Sequence, residues 1–165
     1  MRVWDLLEGK SDRLITTWPE ARVGAAATLM EENDIGLLPV LGESRRLVGV
    51  ISERDIARAV GRKGGEVGKL RVRDLMSTEV LTAHPQDPLK AAMEHMARRH
   101  VRHIPVIEAD GRLVGILSQR DVLETALAVE RSQAEAQRGD QLLDMVRGMG
   151  GASADEDEGD GSAQP

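Results

Sequence analysis

The sequence predicts an α/β (α+β) fold: two copies of one strand-helix-strand-strand-helix unit, packed as a pseudo-twofold pair. Three observations carry that expectation: a self-alignment in a fixed register, a helical period of apolar residues early in each copy, and two short apolar runs around a polar turn late in each copy. At an offset of 66, Pro19 meets Pro85, Ala25-Ala26 meets Ala91-Ala92, Met30 meets Met96 and Pro39-Val40 meets Pro105-Val106. Arg46-Leu47-Val48-Gly49 meets Arg112-Leu113-Val114-Gly115 in the same register, and residues 19–60 hold 13 identities in 42 positions. Two copies are too few for a solenoid, so a shared core is expected.

Upstream, Val3-x-Asp5-Leu6 matches Val72-x-Asp74-Leu75 at an offset of 69. The first copy therefore carries three extra residues within 8–14, a loop in which insertion costs little. In the second copy Leu89, Ala92, Met93 and Met96 fall at i, i+3, i+4 and i+7, with Asp87-Pro88 as N-cap and first helical residue. Val23, Ala26, Ala27 and Met30 repeat that period, although Ala21 stands at the cap position. Methionines at this spacing are read as core. Strands are expected at 37–41 and 47–51, and again at 103–107 and 113–117, with Asp110-Gly111 as a hairpin turn. Each second strand runs into a helix, at 53–60 and 119–129.

Four glycines and two lysines in residues 61–69 read as a flexible connector. The expected organisation is repeat 1 over 1–62, a linker over 63–71, repeat 2 over 72–126, a helical extension over 127–147 interrupted at Gly139, and a disordered acidic tail over 148–165.

Composition narrows the function classes. Cysteine is absent, which excludes disulfides, thiolate metal sites and thiol nucleophiles and, with no hydrophobic signal segment, points to the cytoplasm. No apolar run is long enough to span a membrane. The net charge is −6; the last 18 residues hold five acids and no Lys or Arg, leaving −1 for the body. A nearly neutral body lacks the positive field that nucleic-acid binding needs. No nucleophile elbow, P-loop or dinucleotide glycine motif is present, and His95, His100 and His103 lack a zinc-type spacing, so neither an independent enzyme nor a metal site is expected.

One motif stands out. Gly-Val-Ile-Ser-Glu-Arg-Asp at 49–55 recurs as Gly-Ile-Leu-Ser-Gln-Arg-Asp at 115–121, each time at a strand-to-helix junction. Ser52 with Asp55, and Ser118 with Asp121, have the spacing of a capping box, which needs no ligand. The same junction also offers free backbone N–H groups for an anion and a carboxylate for a vicinal diol, the two features of a ribonucleotide.

Together with Thr-x-x-Pro before each first helix and the Leu/Ile-Pro-Val strand, these motifs resemble the cystathionine-β-synthase-type (CBS) domain in both copies, over residues 3–126. The resemblance implies a regulatory pair with two symmetry-related clefts, forming a homodimer and binding AMP, ADP, ATP or NADH, with S-adenosylmethionine ranked behind them. It also implies roles by position. Asp55 and Asp121 would contact ribose hydroxyls, Ser52 and Ser118 would precede them, and Thr16 and Thr82 would lie beside base and ribose. The chain departs from the pattern in having Arg54 and Arg120 where many binders have Ser or Thr. Arg102 and His103, before Ile104 and Pro105, would approach phosphate, whereas the first copy has Gly36 and Leu37; this predicts a charge-handling cleft that uses Arg102, His103 and Asp121, and a more apolar or empty one. Trp18 is read as packing, with base stacking as the alternative. The competing expectation is a dimeric scaffold whose clefts bind no ligand and whose C-terminal helix or tail recruits a protein partner.

Overall fold

The computed structural model describes residues 1–8 and 14–149. The chain divides after Glu124 into two units. The first holds α1 (Val3–Leu7), α2 (Val23–Glu32), β1 (Leu37–Leu41), β2 (Leu47–Ser52), α3 (Glu53–Lys63), α4 (Leu89–Arg99), β3 (His103–Ile107) and β4 (Leu113–Ser118). The long α5 (Gln119–Met149) begins in the first unit and supplies the described part of the second. It runs through Gly139 without the expected break; a single glycine costs only about 1 kcal/mol in a helix interior. Beyond Glu124 it exposes large apolar residues, among them Leu127, Leu142, Leu143, Met145 and Val146. The predicted acidic tail lies outside the described residues, apart from the end of α5.

Each repeat builds an antiparallel hairpin, β1 with β2 and β3 with β4, in identical register: Leu38 faces Ile51 as Ile104 faces Leu117. The runs are apolar because both faces of each hairpin are largely covered, and the prolines at 39 and 105 are fully buried. The first strand of each predicted unit shrinks to one bridge, Thr17 alongside Val40 and Ala83 alongside Val106. Thr17 and Ala83 each donate an N–H to the strand proline's carbonyl, at 3.0 Å in both copies. The Thr17 hydroxyl is buried there with no hydrogen-bond partner, at the position its own second copy fills with alanine. Thr17→Val, which keeps the shape and removes the stranded hydroxyl, is expected to stabilise the fold by about 1 kcal/mol. A drop in melting temperature would contradict this.

The opening segments are exchanged between the repeats. Val3, Leu6 and Leu7 pack in one core cluster with Leu89, Ala92, Met96, Ile104, Val106 and Leu117 of the second repeat. Val72, with Leu75 and Met76 beside it, packs instead with Val23, Ala26, Met30, Leu38 and Ile51 of the first. Backbone bonds fix both placements: Val3 N–H donates to Asp87 O and Val72 N–H to Ala21 O. The glycine of each Leu-Val-Gly run makes room for the visiting segment. An added Cβ at Gly115 would lie 2.7 Å from a Leu7 methyl, and one at Gly49 would lie 2.8 Å from the Ser77 carbonyl oxygen.

The connector is ordered, contrary to the sequence expectation. Residues Gly64–Lys69 form 3-10 turns whose Val67 is 2% exposed in the first core, and Gly24 and Gly68 let α2 approach them closely. Glycine here serves contact rather than slack. Asp87 also differs from expectation: its carboxylate accepts the His84 N–H, so α4 starts from Pro88 without a side-chain cap. Met30 and Met96 are core, but Met93 is substantially exposed.

At the hairpin tips Arg46 pairs with Arg112, and Leu47 N–H donates to Gly111 O at 3.0 Å. Residues 46 and 112 are the same position in the two copies, so this contact lies on the pseudo-twofold axis. Gly111 takes φ +83, and the Arg112 N–H holds the neighbouring Asp110 carboxyl below the usual carboxylate range.

Candidate functional site

The strand-to-helix junctions form as their chemistry requires. Asp55 Oδ2 accepts the Ser52 N–H at 2.9 Å and the Ser52 hydroxyl at 2.7 Å, while Asp55 N–H donates back to Ser52 Oγ. Asp121 repeats the arrangement with the Ser118 N–H and hydroxyl. Both boxes satisfy helix N-terminal donors and hold a carboxylate at the positive end of the helix dipole.

Two clefts flank the pseudo-twofold axis, and each mixes the repeats crosswise. The larger, of 570 Å³, is formed by the Ser118–Asp121 junction and Glu124 facing residues 34–37 of the first repeat, with Gly115 and Leu7 at its floor. The smaller, of 430 Å³, is formed by Ser52, Glu53 and Arg54 facing residues 100–103 of the second repeat. Both volumes fall in the ordinary range for small-molecule sites, roughly 300–1,000 Å³. Gly36, Leu37 and His103 line both clefts.

This crosswise build regroups the residues singled out by sequence. Ser52, Arg54, Arg102, His103 and Pro105 share the smaller cleft, whereas Ser118, Arg120, Asp121 and His103 share the larger. Arg102 and Asp121 line different clefts, although the Arg102 carbonyl accepts the Gln119 N–H at 2.8 Å beside the Ser118–Asp121 junction. Asp55 lines neither cleft, and Ile104 is a core residue at 1% exposure. Thr16 and Thr82 are half-buried and line neither; their neighbours Leu14-Ile15 and Val80-Leu81 do. Trp18 is 57% exposed and lines neither, so it is neither core packing nor a base platform in these clefts.

Neither cleft is the more apolar or empty one expected beside Gly36 and Leu37, because those two residues line both and each cleft carries charged side chains. Asp34 and Glu124 join Asp121 in the wall of the larger, and Arg120 Nε donates to Glu124 Oε1 at 2.8 Å. Glu124 first, and then Asp121 and Asp34, hold the Arg120 guanidinium charged even more firmly than usual. Asp34 and its counterpart His100 both take left-handed backbone, φ 51 and φ 52, at the ends of α2 and α4. Glycine is favoured there, so a side chain is kept at some cost in each cleft wall. The signal available in the sequence was the matched pair Met30-x-x-x-Asp34 and Met96-x-x-x-His100.

Among the described residues no group of three or more His, Asp or Glu side chains could hold a metal ion, and no helix is long and apolar enough to cross a membrane.

Comparison with known proteins agrees with this architecture. The CBS domain model matches residues 6–62 and 72–128. A homoserine O-acetyltransferase of Methanococcoides burtonii is 32% identical over 112 residues, 68% of this chain but 22% of that protein. An inosine-5'-monophosphate dehydrogenase of Korarchaeum cryptofilum is 36% identical over 109 residues, 66% of this chain and 21% of that protein. The chain thus spans about a fifth of these enzymes. The CBS domain-containing protein YhcV of Bacillus subtilis is 30% identical over 72% of this chain and 82% of its own length. Among solved structures, a CBS-domain protein of Agrobacterium tumefaciens superposes with a TM-score of 0.69 at 30% identity, covering 76% of this chain and 98% of that one. The CBS domain pair of protein MJ0100, in complex with 5′-methylthioadenosine and S-adenosyl-L-methionine, gives 0.68 at 26% identity, with 78% and 97% covered. CBSX2 in complex with AMP gives 0.63 at 29% identity, with 71% and 90% covered.

Proposed function

The chain belongs to the CBS-domain family, and from that premise we propose that it is a regulatory module, not an enzyme, that binds an adenosine-containing nucleotide between its repeats and signals through their relative disposition. AMP, ADP, ATP and NADH rank first as ligands, with S-adenosylmethionine behind them. The observation that carries this reading is Asp121, fixed by its capping box in the wall of a 570 Å³ cleft at a helix start, where a carboxylate can accept ribose hydroxyls. Two further facts support it: solved relatives hold AMP in one case and adenosine thioether and sulfonium compounds in another. The coupling to a partner can be no larger than the ligand's differential affinity for the two states of the pair.

A thermal-shift panel tests the reading. A ligand at 100 times its Kd adds about 2.7 kcal/mol, several degrees for a module of this size. Asp121→Ala is expected to remove most of that rise. Because the substitution also breaks a helix cap, at about 1 kcal/mol, the comparison is between shifts with and without ligand for each variant. Flat shifts for the whole panel at millimolar concentration would sink the reading.

One observation favours the second reading, a dimeric scaffold that recruits a protein: the exposed Leu127, Leu142, Leu143, Met145 and Val146 along α5. It predicts flat ligand shifts and partner binding that is lost on truncation after Leu127.

A further inference from the structure

The two clefts differ in charge, although they are built from repeated sequence: acids outnumber arginines in the larger, and the two balance in the smaller. In the larger, Asp34, Asp121 and Glu124 stand in the wall with His103, and its one arginine, Arg120, is held by Glu124 at 2.8 Å. In the smaller, Glu53 and Glu79 are matched by Arg54 and Arg102, with His100 and His103 beside them. Among the described residues neither Arg54 nor Arg102 is engaged in an ion pair. On the facing loops the difference arises from Asp34, which lines only the larger of the two, and from His100 and Arg102, which line only the smaller; Gly36, Leu37 and His103 line both. Asp34 and His100 both take left-handed backbone, which Asp, Asn and His tolerate better than other side chains.

We infer that the clefts sort adenosine compounds by charge: the cleft of Arg54 and Arg102 takes a 5′-phosphorylated adenosine, and the cleft of Asp34, Asp121 and Glu124 takes one with a neutral or cationic 5′ group. This sorting rests on the nucleotide-binding reading above. A phosphate monoester brings about −1.5 to −2 charges at neutral pH. Placed in the larger cleft it faces three carboxylates and a guanidinium already occupied by one of them. Placed in the smaller it meets two arginines whose donors suit phosphate oxygens, against the two carboxylates of Glu53 and Glu79. An uncharged thioether nucleoside loses nothing in the acidic cleft, and a sulfonium gains there. The protein would then read two adenosine pools at once, one in each cleft.

Isothermal titration of the full chain with AMP and with 5′-methylthioadenosine, singly and together, tests this. The two are expected to bind simultaneously without displacing one another. Arg102→Gln should weaken AMP by about tenfold or more, the worth of a charge-assisted hydrogen bond, and leave 5′-methylthioadenosine unchanged. Asp34→Asn, which keeps a residue tolerant of left-handed backbone, should admit AMP to the second cleft and raise its stoichiometry toward two. Both side chains are exposed, so folding is not at stake. If both ligands bind but compete one for one, or if Arg102→Gln affects them equally, charge sorting is overturned while nucleoside binding stands. If neither binds, both readings fall.

Discussion

Leu6→Ala is expected to lower the stability of the module by about 2–5 kcal/mol, as deletion of a buried leucine does when the cavity cannot collapse. Leu6 is 7% exposed and lies in the cluster that contains Met96, Val106 and Leu117, all of the second repeat. Sequence order assigns it to the first. The two assignments separate in a double-mutant cycle. Combined with Leu117→Ala, which enlarges the same cavity, Leu6→Ala should depart from additivity by about 0.5 kcal/mol or more. Combined with Ile51→Ala, the counterpart of Leu117 in the other core, it should add within about 0.5 kcal/mol. Coupling to Ile51 in place of Leu117 would falsify the segment exchange.

That exchange marks the boundary of what the sequence makes legible. Strand limits, hairpin register and capping boxes are local: apolar runs flanked by turn residues give 37–41 and 103–107, and Ser-x-x-Asp gives the helix starts. Self-alignment establishes that Val3 and Val72 are equivalent, but equivalence says nothing about which core each one enters. Equivalence is equally silent on Arg102 and Asp121, which line different clefts although the Arg102 carbonyl is bonded to the Gln119 N–H. Four glycines in 61–69 read as slack because glycine's entropy is visible in sequence and the buried Val67 contact is not. Asp34 and Glu124 are hidden for a similar reason: one depends on a left-handed residue at a helix end, the other on the second turn of α5 meeting the first repeat.

Gly49→Ala and Gly115→Ala are the same substitution at the same position of the two repeats, yet they are expected to differ. At Gly49 the new methyl meets the Ser77 carbonyl oxygen at 2.8 Å and the Met76 sulfur at 3.0 Å. Ser77 is tied there by two backbone bonds, donating to Val50 O at 2.9 Å and accepting the Val50 N–H at 3.0 Å. The backbone must move and that pair must stretch, so Gly49→Ala should cost about 1–3 kcal/mol. At Gly115 the atoms nearest the methyl all belong to the Leu7 side chain, at 2.7 Å and 2.9 Å from its two methyls. Rotation of Leu7 relieves part of that overlap, and the loss should be smaller. The mechanism also dictates which second substitution rescues. Leu7→Ala removes the atoms that collide with Gly115→Ala, so the double variant should be more stable than the sum of the two losses. Met76→Ala should give no comparable relief to Gly49→Ala, because the obstructing oxygen belongs to the chain itself. Chemical denaturation of the four single variants and two pairs measures this directly, and equal rescue at both glycines would show that side chains alone set the contact.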